Sequence, residues 1–179
     1  MDKKYELTNE TKEFYGMILH RIRALKDFGR VRAGDLGGWV EKEDNLSQFG
    51  ACWVYENAKV YEDAMVYGSA WVAENALVYE DAEVYENAKV YGSAVITGCM
   101  HIQKTRDYLT VGPVGSRNDF TTFVKDQNGN VAASCGCFYG TLDEFSEKVG
   151  ATHGNSNFGA EYRAAIELAK AHFTEEEEQ

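Results

Sequence analysis

Basic charge is scarce in this chain. Only 18 Lys and Arg stand against 29 Asp and Glu over 179 residues, a net charge of −11. That balance argues against a nonspecific nucleic-acid binder, because gripping phosphates takes cations that displace counterions. It argues against a peripheral anchor on anionic lipid for the same reason. Long apolar runs are missing as well, and none approaches the roughly 18 residues that a membrane span needs. The opening Met1-Asp2-Lys3-Lys4-Tyr5-Glu6 has no apolar signal core, so the chain is expected in the cytoplasm. Cysteine is sparse: Cys52, Cys99, Cys135 and Cys137 read as free thiols rather than a disulfide framework. Hydrophobic residues make up 44%, which argues against disorder. A chain of this length can bury roughly 70% of its unfolded surface without covalent staples.

What is present is a repeat. From Val54 the sequence runs VYENAK, VYEDAM, VYGSAW, VAENAL, VYEDAE, VYENAK, VYGSAV and then ITGCMH. The first position is Val54, Val60, Val66, Val72, Val78, Val84, Val90 and Ile96, and Ile102 opens the next hexad. The fifth position is Ala from Ala58 through Ala94, then Met100. A fixed period of this kind is the mark of a repeat architecture. Six matches neither the 3.6 period of a helix nor the period of 2 in a flat strand. Glu56, Glu62, Glu74, Glu80 and Glu86, at the third position, cannot all be buried. The chain must therefore turn a corner every hexad, with one large and one small apolar residue facing inward. Folding the sequence at 18 residues stacks Val54, Val72 and Val90; Val60, Val78 and Ile96; and Val66, Val84 and Ile102. Outside this core, Tyr61 falls over Tyr79 and Tyr67 over Tyr85, as ladders. Stacked glutamates repel, so they read as a solvated face or an interface.

The expected fold is mostly β. A left-handed parallel β-helix of hexapeptide repeats, about four coils, occupies residues 36–104, with an irregular first coil at 36–53. Residues 1–35 form a strand and cap segment, with strands at Lys3–Leu7 and Met17–Leu25 closing the templating end of the stack. Residues 105–174 form an α+β module of three strands and two helices, and 175–179 an acidic tail. The three strands are 108–114, 120–125 and 131–137. Asp126-Gln127-Asn128-Gly129-Asn130 marks a hairpin, and Thr141 with Glu144 a capping box opening the first helix. The second helix covers 160–173, with Ala164, Ile166, Leu168, Ala169 and Phe173 on its apolar positions.

The segment Ile22-Arg23-Ala24-Leu25-Lys26-Asp27-Phe28-Gly29, with Ala33-Gly34-Asp35-Leu36-Gly37-Gly38-Trp39 and Asn45-Leu46-Ser47-Gln48, resembles phage- and prophage-encoded hexapeptide-repeat proteins. It also resembles the N-terminal part of a bacterial hexapeptide-repeat family called transferases by fold analogy. The likeness covers residues 3 to 102. Gly112-Pro113-Val114-Gly115-Ser116-Arg117 and Cys135-Gly136-Cys137-Phe138 look like a module of phage proteins. The resemblance implies a left-handed β-helix and a mobile-element origin. For the acyltransferases of this repeat class it implies a trimer, an acyl-CoA held between neighbouring β-helices and a histidine base at that cleft.

Four histidines are available: His20, His101, His153 and His172. Only His101 lies on the repeat, at a sixth position, and no loop interrupts residues 54–102, so it reads as a surface or interface histidine before a general base. Cys135, Cys137 and His153 could hold zinc or pair a thiol with a base, but a single residue between the cysteines is too short a spacing for a zinc knuckle. In a strand the two cysteines would face one side and be buried together. The glycine-rich stretch 112–118, with Ser116 and Arg117, reads as a tight loop first and an anion or nucleotide contact second. Trp71, with Met65, Leu77 and Val95, leaves the sixth positions too apolar for a wet surface and points to a homo-oligomer interface or a seat for the C-terminal module.

Residues 54–101 hold eight Asp and Glu against two Lys. The leading expectation is a noncatalytic, acidic interaction protein of phage origin, without metal or cofactor. It would block a host factor such as a defence system (an anti-CRISPR or similar inhibitor) by imitating nucleic-acid charge through Glu56, Glu62, Glu74, Glu80, Glu86, Tyr61, Tyr79 and Trp71. Its partner would be a host protein or protein–nucleic-acid complex, with no direct nucleic-acid binding. The alternatives are a trimeric acyl-CoA-dependent acyltransferase and a small-nucleotide trap built on Ser116 and Arg117.

Overall fold

A computed structural model of the chain describes residues 2–126 and 128–174. The acidic tail and Gln127 of the expected hairpin lie outside the described residues. The chain divides into two compact units, Met1–Thr105 and Arg106–Gln179.

In the first unit the hexads form a parallel β-solenoid of about four coils, the architecture of left-handed hexapeptide-repeat helices. After β1 (Tyr5–Phe14), β2 (Met17–Ala24) and β3 (Leu36–Val40) come nine two-residue strands, β4 (Trp53–Val54) to β12 (His101–Ile102), one per hexad. They stack 18 residues apart. Val54 pairs with Val72 and Val72 with Val90; Val60, Val78 and Ile96 form the second column, Val66, Val84 and Ile102 the third. All nine are fully buried, as is every fifth-position alanine from Ala58 to Ala94. Backbone hydrogen bonds join successive coils, for example Tyr55 N to Val72 O at 2.8 Å and Lys59 N to Ala76 O at 3.0 Å. One β-branched residue and, as far as Ala94, one alanine per hexad fill the interior, and Met100 takes the fifth position in the last hexad.

The corners explain the third position. Glu56, Glu62, Glu74, Glu80 and Glu86 all adopt φ between 52° and 60°, and Gly68, Gly92 and Gly98 stand at the same place in their hexads with φ of 70°, 74° and 60°. The left-handed conformation costs an L-residue about 1 kcal/mol or more. Two glutamates offset this with a local bond. Glu62 Oε2 accepts from the Glu80 N–H at 2.8 Å, and Glu80 Oε2 from the Gly98 N–H at 2.7 Å and the Thr97 hydroxyl at 2.8 Å. Carboxylates that looked like stacked repulsive charges act in part as braces from coil to coil.

The first N-terminal strand runs further than the sequence suggested, and the second matches its expected span to within one residue. β1 runs to Phe14 and turns at Tyr15-Gly16, both with positive φ, into β2. β2 pairs with β3 on the side away from β5 (Lys59–Val60), giving a six-stranded sheet β1-β2-β3-β5-β8-β11 whose remaining members are β8 (Leu77–Val78) and β11 (Val95–Ile96). The first coil is irregular as expected: a 3-10 turn at Glu43–Asn45 and a lone bridge from Leu46 to Val66 replace regular strands. Asn45, fully buried, ties it down through Nδ2 to Glu62 O and Ala64 O, each at 2.9 Å.

The second unit has four strands, not three: β13 (Tyr108–Val114), β14 (Asp119–Lys125), β15 (Val131–Cys135) and β16 (Phe138–Thr141), antiparallel in that order. Gly136, at φ 61°, makes a two-residue turn with Cys137 and sends the chain back, so Cys135 pairs with Phe138. Cys137 is consequently exposed while Cys135 is buried, which corrects the expectation that both face one side of a strand. Thr141 caps α1 (Leu142–His153) with Glu144 completing the capping box. Ser156 caps α2 (Asn157–Phe173), three residues earlier than expected. Phe123, Phe145, Tyr162 and Phe173 dominate the core of this unit. Ala164 and Leu168, assigned to the apolar face of α2, are exposed. No helix among the described residues is long and apolar enough to cross a membrane.

Candidate functional site

On the solenoid, the face of β6 (Met65–Val66), β9 (Glu83–Val84) and β12 carries the candidate site. Glu83 stacks beneath His101 because both are sixth-position residues 18 apart. His101 Nδ1 stands 3.5 Å from Glu83 Oε2, and the same oxygen accepts the Tyr67 hydroxyl at 2.7 Å. Tyr67 stacks on Tyr85 with ring centres 5.2 Å apart. Burial, then the bond to Glu83, pushes the Tyr67 hydroxyl well above the ordinary tyrosine range, so it remains a proton donor. His101 and Glu83 are 33% and 26% exposed, open enough to meet a substrate and shielded enough to strengthen their interaction. A carboxylate beside Nδ1 is placed to favour the tautomer that leaves Nε2 open to a proton. Glu83 and Tyr67 were missed in the sequence. The signal was there, since the 18-residue fold that aligned the valines also aligns Met65, Glu83 and His101.

The residues expected to form an acidic interface separate into groups. Tyr61 stacks on Tyr79 at 5.0 Å but is only 3% exposed, because Phe14 of the N-terminal hairpin packs against it at 5.7 Å. Tyr61 is therefore a packing residue of this unit rather than part of an open surface. Glu62 and Glu80 hold backbone amides, and Glu86 Oε1 accepts from Gln103 at 2.7 Å. Glu56 and Glu74 are exposed at corners one coil apart. Trp71 is half-buried in an aromatic and cationic cluster with Tyr55 at 5.7 Å and the Lys89 ammonium at 5.4 Å. His20 lies on β2 with Nδ1 3.3 Å from Thr8 O.

In the second unit the structure brings Ser116, Arg117, Cys135, Cys137 and His153 to the wall of a single cavity. Arg117 Nη2 donates to Cys135 O at 3.4 Å, and the Cys135 thiol lies 3.8 Å from the Tyr162 hydroxyl. Burial lifts the Tyr162 hydroxyl to about 12, with Cys135 adding to the effect. His172 is apart from this wall, with Nε2 3.1 Å from Arg106 O. No cluster of three or more His, Cys, Asp or Glu able to hold a metal occurs among the described residues.

Fold and site together define a hexapeptide-repeat solenoid protein with an appended α+β module. The chain is similar to the uncharacterized acetyltransferase YdcK of Escherichia coli (strain K12), with 37% identity over 62 residues. That match covers 30% of this chain and only 19% of the length of YdcK. It fits a hexapeptide-repeat, transferase-like family. No family model matches the chain.

Proposed function

We propose that the solenoid is an acyl-CoA-dependent acyltransferase acting as a homo-oligomer, with His101 as its general base. The observation that carries this reading is the line Tyr67–Glu83–His101, a base oriented by a carboxylate that is itself fixed by a hydroxyl. The likeness to a protein named as an acetyltransferase supports it. In the reaction, an acceptor amine or hydroxyl attacks the thioester carbonyl while His101 Nε2 removes its proton. Glu83 stabilises the imidazolium, and collapse of the tetrahedral species expels the CoA sulfur, which takes the proton back. The trimer is what the family resemblance implies, and the half-buried Trp71 would sit in or beside the contact between copies.

The test is acetyl transfer from acetyl-CoA to a panel of small amines and alcohols, read as CoA thiol release. Wild-type protein should turn over with at least one acceptor, and His101→Ala should lose about 100-fold or more, the usual worth of a positioned acid–base group. Failure of the wild type to bind acetyl-CoA at about 1 mM, the upper end of ordinary KM values, would overturn the reading.

A second reading draws on Glu56 and Glu74, exposed at stacked corners. In it the solenoid is a noncatalytic acidic surface that blocks a host protein or protein–nucleic-acid complex, in keeping with the phage origin that the sequence resemblance implies. Its mark is a salt-sensitive partner that Glu56→Lys with Glu74→Lys abolishes and His101→Ala leaves intact.

A further inference from the structure

The cavity of the second unit measures about 280 Å³. That is near the lower end of ligand cavities, roughly 300–1,000 Å³, room for one ring system with one attached group. Its walls come from four separate stretches of sequence: the loop at Ser116-Arg117, the turn at Cys135-Gly136-Cys137-Phe138, the face of α1 from Phe145 to His153, and Tyr162 of α2. The apolar side is aromatic. Phe138 lies 5.2 Å from Phe145 between ring centres, Phe145 5.8 Å from Tyr162, and Tyr162 stacks with His153 at 5.3 Å. The charged side is cationic. Arg117 and Lys148 line it, and among the described residues no Asp or Glu does, in a chain whose net charge is −11.

Two glycines let these groups approach. A Cβ on Gly136 would clash with Arg117 Nη2, and one on Gly115 with the Tyr162 hydroxyl. The loop carrying Arg117 is held to α2 by the Gly115 N–H bond to Glu161 Oε2 at 2.7 Å. Arg117 thus lies against the turn, on an anchored loop, and a guanidinium is a planar fork suited to two oxygens of one oxyanion.

We propose that this cavity binds a small organic anion: an aromatic or heteroaromatic ring bearing one phosphate or carboxylate. The ring packs against Phe138, Phe145 and the His153–Tyr162 pair, and the oxyanion meets Arg117 and Lys148. A nucleoside monophosphate and an aromatic carboxylate share this chemistry. The proposal is independent of the acyl-transfer reading, because every residue it uses lies in the other unit.

The experiment titrates the full chain with AMP, CMP, phenyl phosphate, benzoate, adenosine and inorganic phosphate by calorimetry. In parallel, alkylation of each cysteine by iodoacetamide is followed by mass spectrometry. Cys137 lines the cavity, and Cys99, exposed on the solenoid, is the internal control. At least one ring-bearing anion should bind, and it should slow alkylation of Cys137 about tenfold while leaving Cys99 unchanged. Adenosine and inorganic phosphate should each bind at least about tenfold more weakly, a difference of about 1.4 kcal/mol. Tight binding of AMP or phenyl phosphate identifies the phosphate source, and of benzoate the carboxylate source. Arg117→Gln should weaken binding about tenfold at unchanged melting temperature, and Lys148→Ala serves the same purpose if that variant does not fold. The proposal is overturned if no ring-bearing anion binds by about 5 mM, if adenosine or inorganic phosphate binds as well as the ring-bearing anions, or if both substitutions leave affinity unchanged.

Discussion

The two units of this chain reach stability by opposite routes. The solenoid repeats one rule: a buried Val or Ile, a buried Ala (Met100 in the last hexad) and a left-handed corner, so each coil is a template for the next. The C-terminal unit repeats nothing. Its core is a set of unlike aromatics, Phe123, Phe145, Tyr162 and Phe173, each in a surrounding of its own. The repeat leaves a dry interior and puts chemistry on the outside, where residues 18 apart come into line. The irregular unit leaves a cavity, because unlike side chains on four strands and two helices cannot all meet.

Four changes test this contrast, in decreasing order of effect. Val78→Asp puts a charge where Val60 and Ile96 pack above and below, and should cost at least about 4 kcal/mol, seen as loss of the solenoid's cooperative thermal unfolding. Phe145→Ala in the aromatic core should cost about 3–5 kcal/mol in denaturant unfolding of the second unit.

Alkaline pH should act on the solenoid next. Burial is the first cause that raises the hydroxyls of Tyr5, Tyr61 and Tyr67, so in the folded state they stay neutral past pH 10. Their contribution is fully present below the unfolded tyrosine value near 10 and is lost as pH climbs through the raised folded values. Urea unfolding should therefore show stability falling above about pH 10, with a shallower fall in Tyr61→Phe. A pH-independent unfolding midpoint from about pH 9 to 11 would break this account.

The smallest effects separate corners that look alike. Glu56 and Glu80 share the left-handed conformation, but only Glu80 braces the next coil. Glu56→Gly should stabilise by up to about 1 kcal/mol, by relieving the corner. Glu80→Gly should be neutral or destabilising by about 1 kcal/mol, since two hydrogen bonds go with it. Equal melting shifts for the two would remove the distinction.

How much of this could be read in advance follows the same division. The valine columns, the tyrosine ladders and the irregular first coil were legible because a period fixes register without knowledge of anything distant. The meaning of the third-position glutamates was not, because backbone φ and a carboxylate bond one coil away leave no separate mark on a hexad. In the second unit the capping box at Thr141 was legible as a local signal. The turn at Gly136-Cys137 was mistaken for strand, since both cysteines suit a β pattern and only the pairing of Cys135 with Phe138 reveals the reversal. Ser116 with Arg117, and Cys135 with Cys137 and His153, stand out in the sequence as separate motifs. That they share a cavity with Lys148 and Tyr162 depends on long-range packing that no spacing encodes.

The most direct measurement is acetyl-CoA thiol release with the acceptor panel, run side by side on wild type, His101→Ala, Glu83→Gln and Arg117→Gln, each checked for an unchanged melting temperature. The account predicts turnover in the wild type and in Arg117→Gln. It predicts a loss of about 100-fold in His101→Ala and a smaller loss in kcat, with KM little changed, in Glu83→Gln. Turnover that survives His101→Ala, or that disappears in Arg117→Gln, would contradict the assignment of chemistry to the solenoid face.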